Sequence, residues 1–302
     1  MNGFFNIMKP CGMSSAAVVA ALRRMTGIKR VGHAGTLDPE AAGVLPIMIG
    51  KATRLFDYLT DKEKEYDAVI AFGCSTDTQD ATGRILETGN CWPDIVTLRK
   101  AADQLTGDII QIPSMYSAIK MQGEPLYKRA RKGETIDVPP RKVHVESIEI
   151  TGEAPDHGFC IRVRCGKGTY IRTLCHDIGR LCGCPAHMRS LIRTKSGVFS
   201  IRDALSLEQA DELVGQNRLI ECLLPPDFAL GHLPALNLSP ELTRKVTNGA
   251  KLPIPADEEN LPENLPVRIY LKSRFWGIAQ RKGNEMIWKV LISPDDPEDR
   301  DT

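Results

Sequence analysis

A proline-rich break between residues 224 and 234 divides the 302-residue chain into two parts of very different size. The run Leu224-Pro225-Pro226-Asp227 is followed by Gly231 and Pro234, and clusters of this kind interrupt helices and strands. The residues before the break suffice for a large domain with its own core, whereas those after it suffice only for a small module. We therefore predict one domain over residues 1–230 and a second over residues 231–302.

The part before the break alternates between strand and helix signals. Ser14-Ser15 is a candidate N-cap for a helix over residues 16–26, and Gly27 is a stop signal. Strands are predicted over residues 4–8, 44–49, 66–72, 143–150 and 159–165, and further helices over residues 51–59 and 170–181. Because these elements lack the regular spacing of βαβ units, the predicted fold class is α+β, or mixed α/β.

The part after the break contains short apolar runs separated by Gly and Pro. Strands are predicted over residues 266–271, 277–281 and 286–291, which indicates a small β-rich module. The tail over residues 294–302 is acidic and contains proline, so we expect it to be disordered.

Charge is segregated along the chain although the formal net charge is only +1. Residues 160–200 contain eight Lys or Arg against one acid, and residues 120–142 contain seven against three. Acidic residues gather instead after residue 256. A polyanion such as a nucleic acid would therefore be attracted to one face of the protein.

Several classes of protein are disfavoured by composition. An apolar share of 42% and a charged share of 25% are typical of globular proteins, and neither a secretory signal nor a membrane-spanning run is present. The nine cysteines are scattered, Cys182-Gly183-Cys184 has the wrong spacing for a CxxC site, and the six histidines form no ligand motif. We expect a cytoplasmic protein with reduced, mostly buried thiols, no metal and no membrane association.

One carboxylate stands out in the first part of the chain. The loop over residues 31–39 holds two glycines and a proline around Asp38, between two apolar elements. An Asp-Pro pair alone is usually an ordinary turn. A loop positioned by rigid elements, however, is also where catalytic groups are commonly presented.

The same loop resembles the catalytic-loop signature of the tRNA pseudouridine synthase B family over Gly32-His33-Ala34-Gly35-Thr36-Leu37-Asp38-Pro39. Five further blocks, one before this loop and four after it, stand in the family's order. They are Lys9-Pro10 with Gly12-Met13-Ser14-Ser15, Lys64-Glu65-Tyr66, Thr76 to Gly83, Gln111-Ile112-Pro113 with Tyr116 to Lys120, and Gly168-Thr169-Tyr170-Ile171-Arg172. The resemblance is strong over residues 5–200, and the C-terminal part is weakly similar to a PUA RNA-binding domain.

Membership in this family implies an isomerase that converts uridine 55 in the T-loop of tRNA to pseudouridine by base flipping. It implies a central mixed, mostly antiparallel sheet and an RNA-gripping insertion over about residues 112–142. The product is an isomer of the substrate, so no cofactor is consumed. The partner would be the T-arm stem-loop of tRNA, and the protein is expected to be a monomer.

The resemblance also implies roles for particular residues. Asp38 would be the nucleophile, attacking either C1′ of the ribose or C6 of the base. Arg172 would pair with it, since a nearby guanidinium favours the charged form of a carboxylate. Tyr66 would stack on the extracted uracil or help remove the C5 proton.

Further residues would bind the RNA or border the site. His33 would insert among the flipped bases, and the remaining implied contacts are Lys9, Asp80, Tyr170, Leu191, Lys120, Lys128, Arg129 and Arg131. Three alternatives stay open: a non-catalytic tRNA-binding or folding protein, a synthase acting on another RNA, and an N-glycoside hydrolase using Asp38 with Asp80.

Overall fold

The computed structural model describes residues 1–59, 63–117, 119–121, 123–134, 136–254 and 261–293. Within the insertion, the side chains of Lys120, Pro125, Tyr127, Lys128 and Arg131 are outside the described set. The acidic tail over residues 294–302, for which the sequence predicts disorder, also lies outside the described residues. Within the described ranges, no helix has the length and apolarity needed to cross a membrane.

Eighteen strands are described in the part of the chain covered by these ranges. In the first part they are β1 Gly3–Lys9, β2 Val31–His33, β3 Ala42–Ile49, β4 Lys64–Phe72, β5 Cys74–Thr76, β6 Ile85–Thr88, β7 Gly107–Gln111, β8 Lys120–Met121, β9 Glu124–Pro125, β10 Arg141–Ala154, β11 Gly158–Cys165, β12 Ala186–Ser196 and β13 Phe199–Ser200. In the second part they are β14 Ala235–Leu238, β15 Leu252–Pro253, β16 Pro266–Leu271, β17 Arg274–Lys282 and β18 Glu285–Leu291.

Six α-helices accompany the strands in the described residues. They are α1 Ser15–Thr26, α2 Ile95–Gln104, α3 Leu126–Arg131, α4 Ile171–Leu181, α5 Leu207–Gly215 and α6 Thr243–Thr247. Short 3₁₀ helices cover Gly50–Tyr58, Ile201–Asp203, Leu219–Cys222 and Pro240–Leu242. The helix predicted over residues 51–59 therefore exists, but it has the tighter 3₁₀ form.

The ends of α1 follow the predicted signals closely. The Ser14 side chain accepts a hydrogen bond from the Ala17 N–H, which caps the first turn, and Gly27 ends the helix at a left-handed φ of 69°. Ser15, also a candidate cap, is instead the first helical residue and is buried. Its side chain is thereby free to contact the loop that carries Asp38.

The central sheet is mixed and mostly antiparallel, as predicted. Its strands follow the order β1, β3, β12, β4, β11, β10, β7, with β2 paired to β3 and β13 to β12. Among the strand pairings described for this sheet, only β12 with β3 is parallel. Gly43 permits this contact, because a Cβ there would lie 2.2 Å from the Arg193 carbonyl oxygen. The close approach brings β12 beneath the Asp38 loop.

A second, five-stranded sheet occupies the C-terminal part in the order β14, β16, β17, β18, β15. The three predicted strands correspond to β16, β17 and β18, so the β-rich character expected of this part is confirmed. One apolar cluster spans both parts and includes Phe4, Leu230 and Phe275. The two sheets are thus packed together through a shared core.

The cysteines differ from expectation. Cys91, after β6, and Cys184, after α4, form a disulfide with Cα atoms 5.5 Å apart, a separation typical of disulfides. The expectation of uniformly reduced, mostly buried thiols was wrong, because folding brings together two loops that are 93 residues apart in sequence. Among the free cysteines only Cys165 and Cys175 are buried, and Cys11 is exposed.

Thiol labelling provides a test of these positions. Burial raises the pKa of Cys165 to about 11 and that of Cys175 still further, so both thiols stay protonated near neutral pH. We expect iodoacetamide to modify exposed Cys11 in the native protein well before either buried thiol. Peptide mapping by mass spectrometry without reductant should also recover a peptide pair linked through Cys91 and Cys184. Equal alkylation of Cys11 and Cys175 would contradict this packing.

Candidate active site

A cavity of about 210 Å³ opens at the loop that carries Asp38. It lies where the end of α4 nearest Arg172 meets strands β4 and β12. The lining residues are Thr36, Leu37, Asp38, Lys64, Tyr66, Gly168, Thr169, Tyr170, Ile171, Arg172, Met188 and Leu191. This volume is below the ~300–1,000 Å³ of typical ligand pockets and suits a single planar base. Five predicted site residues are therefore brought together: Asp38, Tyr66, Tyr170, Arg172 and Leu191.

Asp38 and Arg172 form an ion pair at this cavity. The Arg172 Nη2 atom lies 3.3 Å from Asp38 Oδ2, and the same nitrogen donates a hydrogen bond to the Tyr116 carbonyl oxygen at 2.9 Å. The Arg172 side chain is 5% exposed whereas that of Asp38 is 39% exposed. The cation is therefore fixed inside the protein, while the carboxylate remains accessible to a ligand.

Asp80 lies on the other side of Arg172 and does not line the cavity. Its Oδ2 atom is 3.7 Å from Arg172 Nη1. Its Oδ1 atom accepts hydrogen bonds from Thr78 Oγ1 and from the backbone N–H and Oγ1 of Thr82, at 2.7, 3.0 and 2.7 Å. Asp80 therefore orients the guanidinium from behind, and its own acceptor sites are largely occupied.

Three buried side chains hold the backbone of the Asp38 loop. Lys9 Nζ donates to the Pro39 carbonyl at 2.9 Å, and the Ser15 hydroxyl donates to the Leu37 carbonyl at 3.0 Å while accepting from the Leu37 N–H. Arg193 Nη1 and Nη2 donate to the Thr36 and Gly35 carbonyls. These bonds fix the carboxylate in advance of substrate binding, as preorganised sites require.

Lys9 was expected to contact substrate, but the structure gives it a different position. It is fully buried, does not line the cavity, and also donates to the carbonyls of Pro10 and Met13. Burial lowers the pKa of its ammonium group. One of its three hydrogen bonds thus reaches the Asp38 loop, and the other two hold the turn between β1 and α1.

Arg193 is the main site residue that the sequence analysis did not single out. Its side chain is completely buried, and Nε donates to the Val44 carbonyl at 2.8 Å. No carboxylate of the described residues lies within ion-pair distance of it, and its hydrogen bonds go to backbone carbonyl oxygens and to the Tyr66 side chain. In the sequence, Arg193 stands two residues after Leu191. On one strand this spacing puts both side chains on the same face, which could have identified Arg193 as a site residue.

Tyr66 and Tyr170 form aromatic walls of the cavity. Tyr66 is 7% exposed, and burial raises the pKa of its phenol although the nearby Arg193 charge opposes the shift. The Tyr170 ring lies 5.7 Å from the guanidinium carbons of Arg141 and of Arg172, one cation–π contact with each. The Tyr170 backbone exchanges two hydrogen bonds with the Gln111 amide. Both rings are therefore held firmly.

His33 ends β2, five residues before Asp38, and does not line the cavity. It is partly exposed, and its Nδ1 atom is buried with no hydrogen-bond partner among the described residues. Burial lowers its pKa, and the Arg193 charge lowers it further. The lowered pKa thus favours the neutral form of the ring at pH 7.

This shift predicts a pH dependence of stability. The unfolded chain takes up a proton on His33 near its ordinary pKa, before the folded protein does, so acidification below about pH 6.5 favours unfolding. We expect an NMR titration to give His33 a pKa below 6.5. Urea denaturation should show that His33→Gln loses less stability than wild type between pH 7 and 5.5. A pKa at or above 6.5 would contradict the burial of this ring beside Arg193.

The insertion supplies fewer described contacts. Arg129 does not line the cavity, and its Nε lies 3.5 Å from Glu124 Oε2. Lys120, Lys128 and Arg131 were predicted to contact RNA, but their side chains lie outside the described set. Among the described residues, no three His, Cys, Asp or Glu side chains are arranged to hold a metal ion.

Comparison with known proteins places these features in a family. The profile described as TruB family pseudouridylate synthase (N terminal domain) matches residues 23–171, and the tRNA pseudouridylate synthase B C-terminal domain matches residues 172–231. The tRNA pseudouridine synthase B of Bacillus licheniformis is 41% identical over 278 residues, 90% of each chain. The chain belongs to the TruB family of pseudouridylate synthases. The enzyme of that name from Dehalococcoides mccartyi is 39% identical and covers 97% of this chain and 98% of its own.

Solved structures agree with the TruB assignment. The crystal structure of a Cbf5-Nop10-Gar1 complex contains a chain with TM-score 0.74 and 26% identity, covering 97% of this chain and 85% of that one. A structure of an H/ACA RNP bound to a substrate RNA containing 2′-deoxyuridine gives a TM-score of 0.73 at 25% identity. The α+β prediction is therefore confirmed for both the central sheet and the C-terminal β part.

Proposed function

We propose that this TruB-family protein converts uridine 55 in the T-loop of tRNA to pseudouridine, acting as a monomer in the cytoplasm. The observation that carries the proposal is the partly exposed Asp38 carboxylate beside buried Arg172 at a cavity of single-base size. The relatives from Bacillus licheniformis and Dehalococcoides mccartyi bear the name tRNA pseudouridine synthase B, which supports tRNA as the substrate.

The proposed reaction is an isomerisation. The bond from N1 to C1′ breaks, the uracil rotates within the cavity, and a bond from C5 to C1′ forms. The proton on C5 is lost and N1 gains one, so atoms and electrons balance without a cofactor. The cavity must therefore hold the free base long enough for it to turn.

Asp38 is the proposed nucleophile. In one route its carboxylate traps the electron-deficient C1′, and in the other it adds to C6 of the uracil. Arg172 contacts Asp38 from inside the protein and keeps the carboxylate oriented through its contacts with Asp80 and the Tyr116 carbonyl. The restored carboxylate is then available for the next turnover.

Tyr66 and Leu191 are proposed to hold the base. Both line the cavity, where an aromatic face and an aliphatic side chain can sandwich a planar ring. Tyr66 is also the proposed acceptor of the C5 proton. Because burial raises its pKa, Tyr66 is protonated at rest, so it must first give its hydroxyl proton to N1 of the uracil. The resulting phenolate, favoured by the neighbouring Arg193 charge, can then accept the proton from C5.

Reaching this cavity requires the uridine to leave the folded T-loop. His33 is proposed to occupy the vacated space, since a neutral imidazole can stack between bases. Basic residues of the insertion, Lys120, Lys128, Arg129 and Arg131, are proposed to contact phosphates.

The hydrolase alternative is disfavoured by the position of Asp80. A glycosidase of the two-carboxylate type needs a second carboxyl group free to act on a water or on the leaving group. Asp80 is buried, accepts three hydrogen bonds and lies behind Arg172. Asp38 therefore has no such partner among the described residues that line the cavity.

Tritium release from a tRNA transcript labelled at uracil C5 tests the proposal. We expect wild-type protein to release one equivalent of tritium per tRNA and no free uracil. A matched transcript with cytidine at position 55 should release none. Release that is unchanged by this substitution would overturn the assignment to position 55, and free uracil would indicate a hydrolase.

A further inference from the structure

A second cavity, of about 310 Å³, adjoins the first. It is lined by Ala34, Gly35, Leu59, Lys64, Arg141, Lys142, Lys167, Gly168 and Ser196. Lys64 and Gly168 line both cavities, so the two spaces meet at these residues. Ala34 and Gly35 directly follow His33 and precede Asp38. The second cavity thus lies beside the loop that carries Asp38.

Of the nine described residues that line the second cavity, four are cations and none is an acid. Lys64, Arg141 and Lys142 have no carboxylate within ion-pair distance among the described residues. Burial lowers the pKa of Lys64, and the charges of Arg193 and Lys167 lower it further. Like charges gathered around one cavity favour an anionic ligand.

Arg141 is held in a defined position within this group. Its guanidinium lies over the Tyr170 ring, with Cζ 5.7 Å from the centroid. Gly168, at a φ of 79°, leaves room for it, because a Cβ there would lie 2.9 Å from Arg141 Nη2. The Arg141 Nε atom is buried without a hydrogen-bond partner among the described residues. The side chain that borders the second cavity therefore also supports a wall of the first.

We propose that this second cavity binds the backbone phosphate adjacent to the reacting uridine, with Arg141 and Lys142 as its principal contacts. The proposal rests on the proposed function and adds the site that holds the RNA backbone beside the flipped base. A phosphodiester fits because it is anionic and tetrahedral, and guanidinium and ammonium groups are its usual partners. Since the two cavities share lining residues, one nucleotide can place its base in the first and its phosphate in the second.

Methylphosphonate substitution, which removes the charge of a single linkage, tests this proposal. The RNA would be a T-arm stem-loop with a neutral linkage on the 5′ side of uridine 55, on its 3′ side, or in the stem as a control. Binding would be measured by fluorescence anisotropy with Asp38→Asn protein, so that no turnover occurs. The same series would be repeated with Asp38→Asn protein that also carries Arg141→Gln and Lys142→Gln. The matched control is Asp38→Asn protein that carries Lys100→Gln, which changes an exposed lysine on α2.

We expect neutralisation of a linkage flanking uridine 55 to raise Kd about tenfold, the size of one charge-assisted hydrogen bond. The stem linkage should have little effect. In the Arg141→Gln, Lys142→Gln protein, neutral and charged flanking linkages should bind almost equally, whereas the Lys100→Gln control should keep the full penalty.

Two results would overturn the proposal. If both RNAs with a neutral flanking linkage bind with the same Kd as the fully charged RNA, the cavity binds no substrate phosphate. This result includes the case in which the cavity binds a free anion. An undiminished penalty in the Arg141→Gln, Lys142→Gln protein would place the phosphate elsewhere. Failure of the proposed function would look different, because wild-type protein would then release no tritium from the fully charged substrate.

Discussion

Asp38→Asn is expected to abolish pseudouridine formation while leaving the fold and tRNA binding intact. The amide has nearly the same shape but cannot act as a nucleophile, so the single-turnover rate should fall by about 10⁴-fold or more. The Asp38 side chain is partly exposed, and its loop is held through backbone atoms by Lys9, Ser15 and Arg193. The rate is measured by tritium release with enzyme in excess.

A matched control for this substitution is Asp57→Asn, which changes an exposed carboxylate outside the cavity. It should turn over at the wild-type rate. Circular dichroism melts and filter binding of tRNA should be similar for all three proteins. Retention of more than a few per cent of activity by Asp38→Asn would exclude Asp38 as the nucleophile.

Arg172→Met is expected to lower the single-turnover rate by about 10²–10³-fold, the usual cost of removing one preorganised charged donor from an active site. It leaves Asp38 without its cation and Asp80 buried without one. The folded protein should therefore also lose about 3–5 kcal/mol of stability, because breaking a buried pair strands a charge. Rate and urea denaturation are measured on the same preparation.

Two variants separate these effects. Arg180→Met changes an exposed arginine at the far end of α4 and should leave both rate and stability unchanged. Adding Asp80→Asn to Arg172→Met removes the stranded charge, so stability should partly recover while the rate stays low. Recovery of the rate together with stability would show that Arg172 acts only through folding.

Much of the fold was predictable because its signals are local. The cap at Ser14 and the stop at Gly27 place α1, and apolar alternation places β4, β10, β11 and the C-terminal strands. The pairing of β12 with β3 was not predictable, because a parallel contact across about 150 residues leaves no local pattern. The disulfide between Cys91 and Cys184 was not predictable for the same reason, because it joins residues 93 positions apart in the sequence.

The residues of the candidate site were also predictable where the signal is local, and not where it depends on long-range contacts. The blocks around Asp38, Tyr66 and Arg172 pointed to residues that the structure brings to one cavity. Arg193 and Ser15 were not singled out because they act on backbone carbonyls of a distant loop, and such acceptors carry no residue signature. Lys9 is the opposite case. Its match to a family motif predicted contact with the substrate, whereas its ammonium group donates hydrogen bonds to the backbone carbonyls of Pro10, Met13 and Pro39.

The most direct test of the central claim is to map pseudouridine in an unmodified tRNA transcript after incubation with the protein. Carbodiimide labelling followed by primer extension gives a stop at each pseudouridine. We predict a single new stop at T-loop position 55 with wild-type protein, and no stop with Asp38→Asn. A wild-type protein that binds the transcript but gives no stop at this position would contradict the proposed substrate, and a stop that persists in Asp38→Asn would contradict the proposed nucleophile.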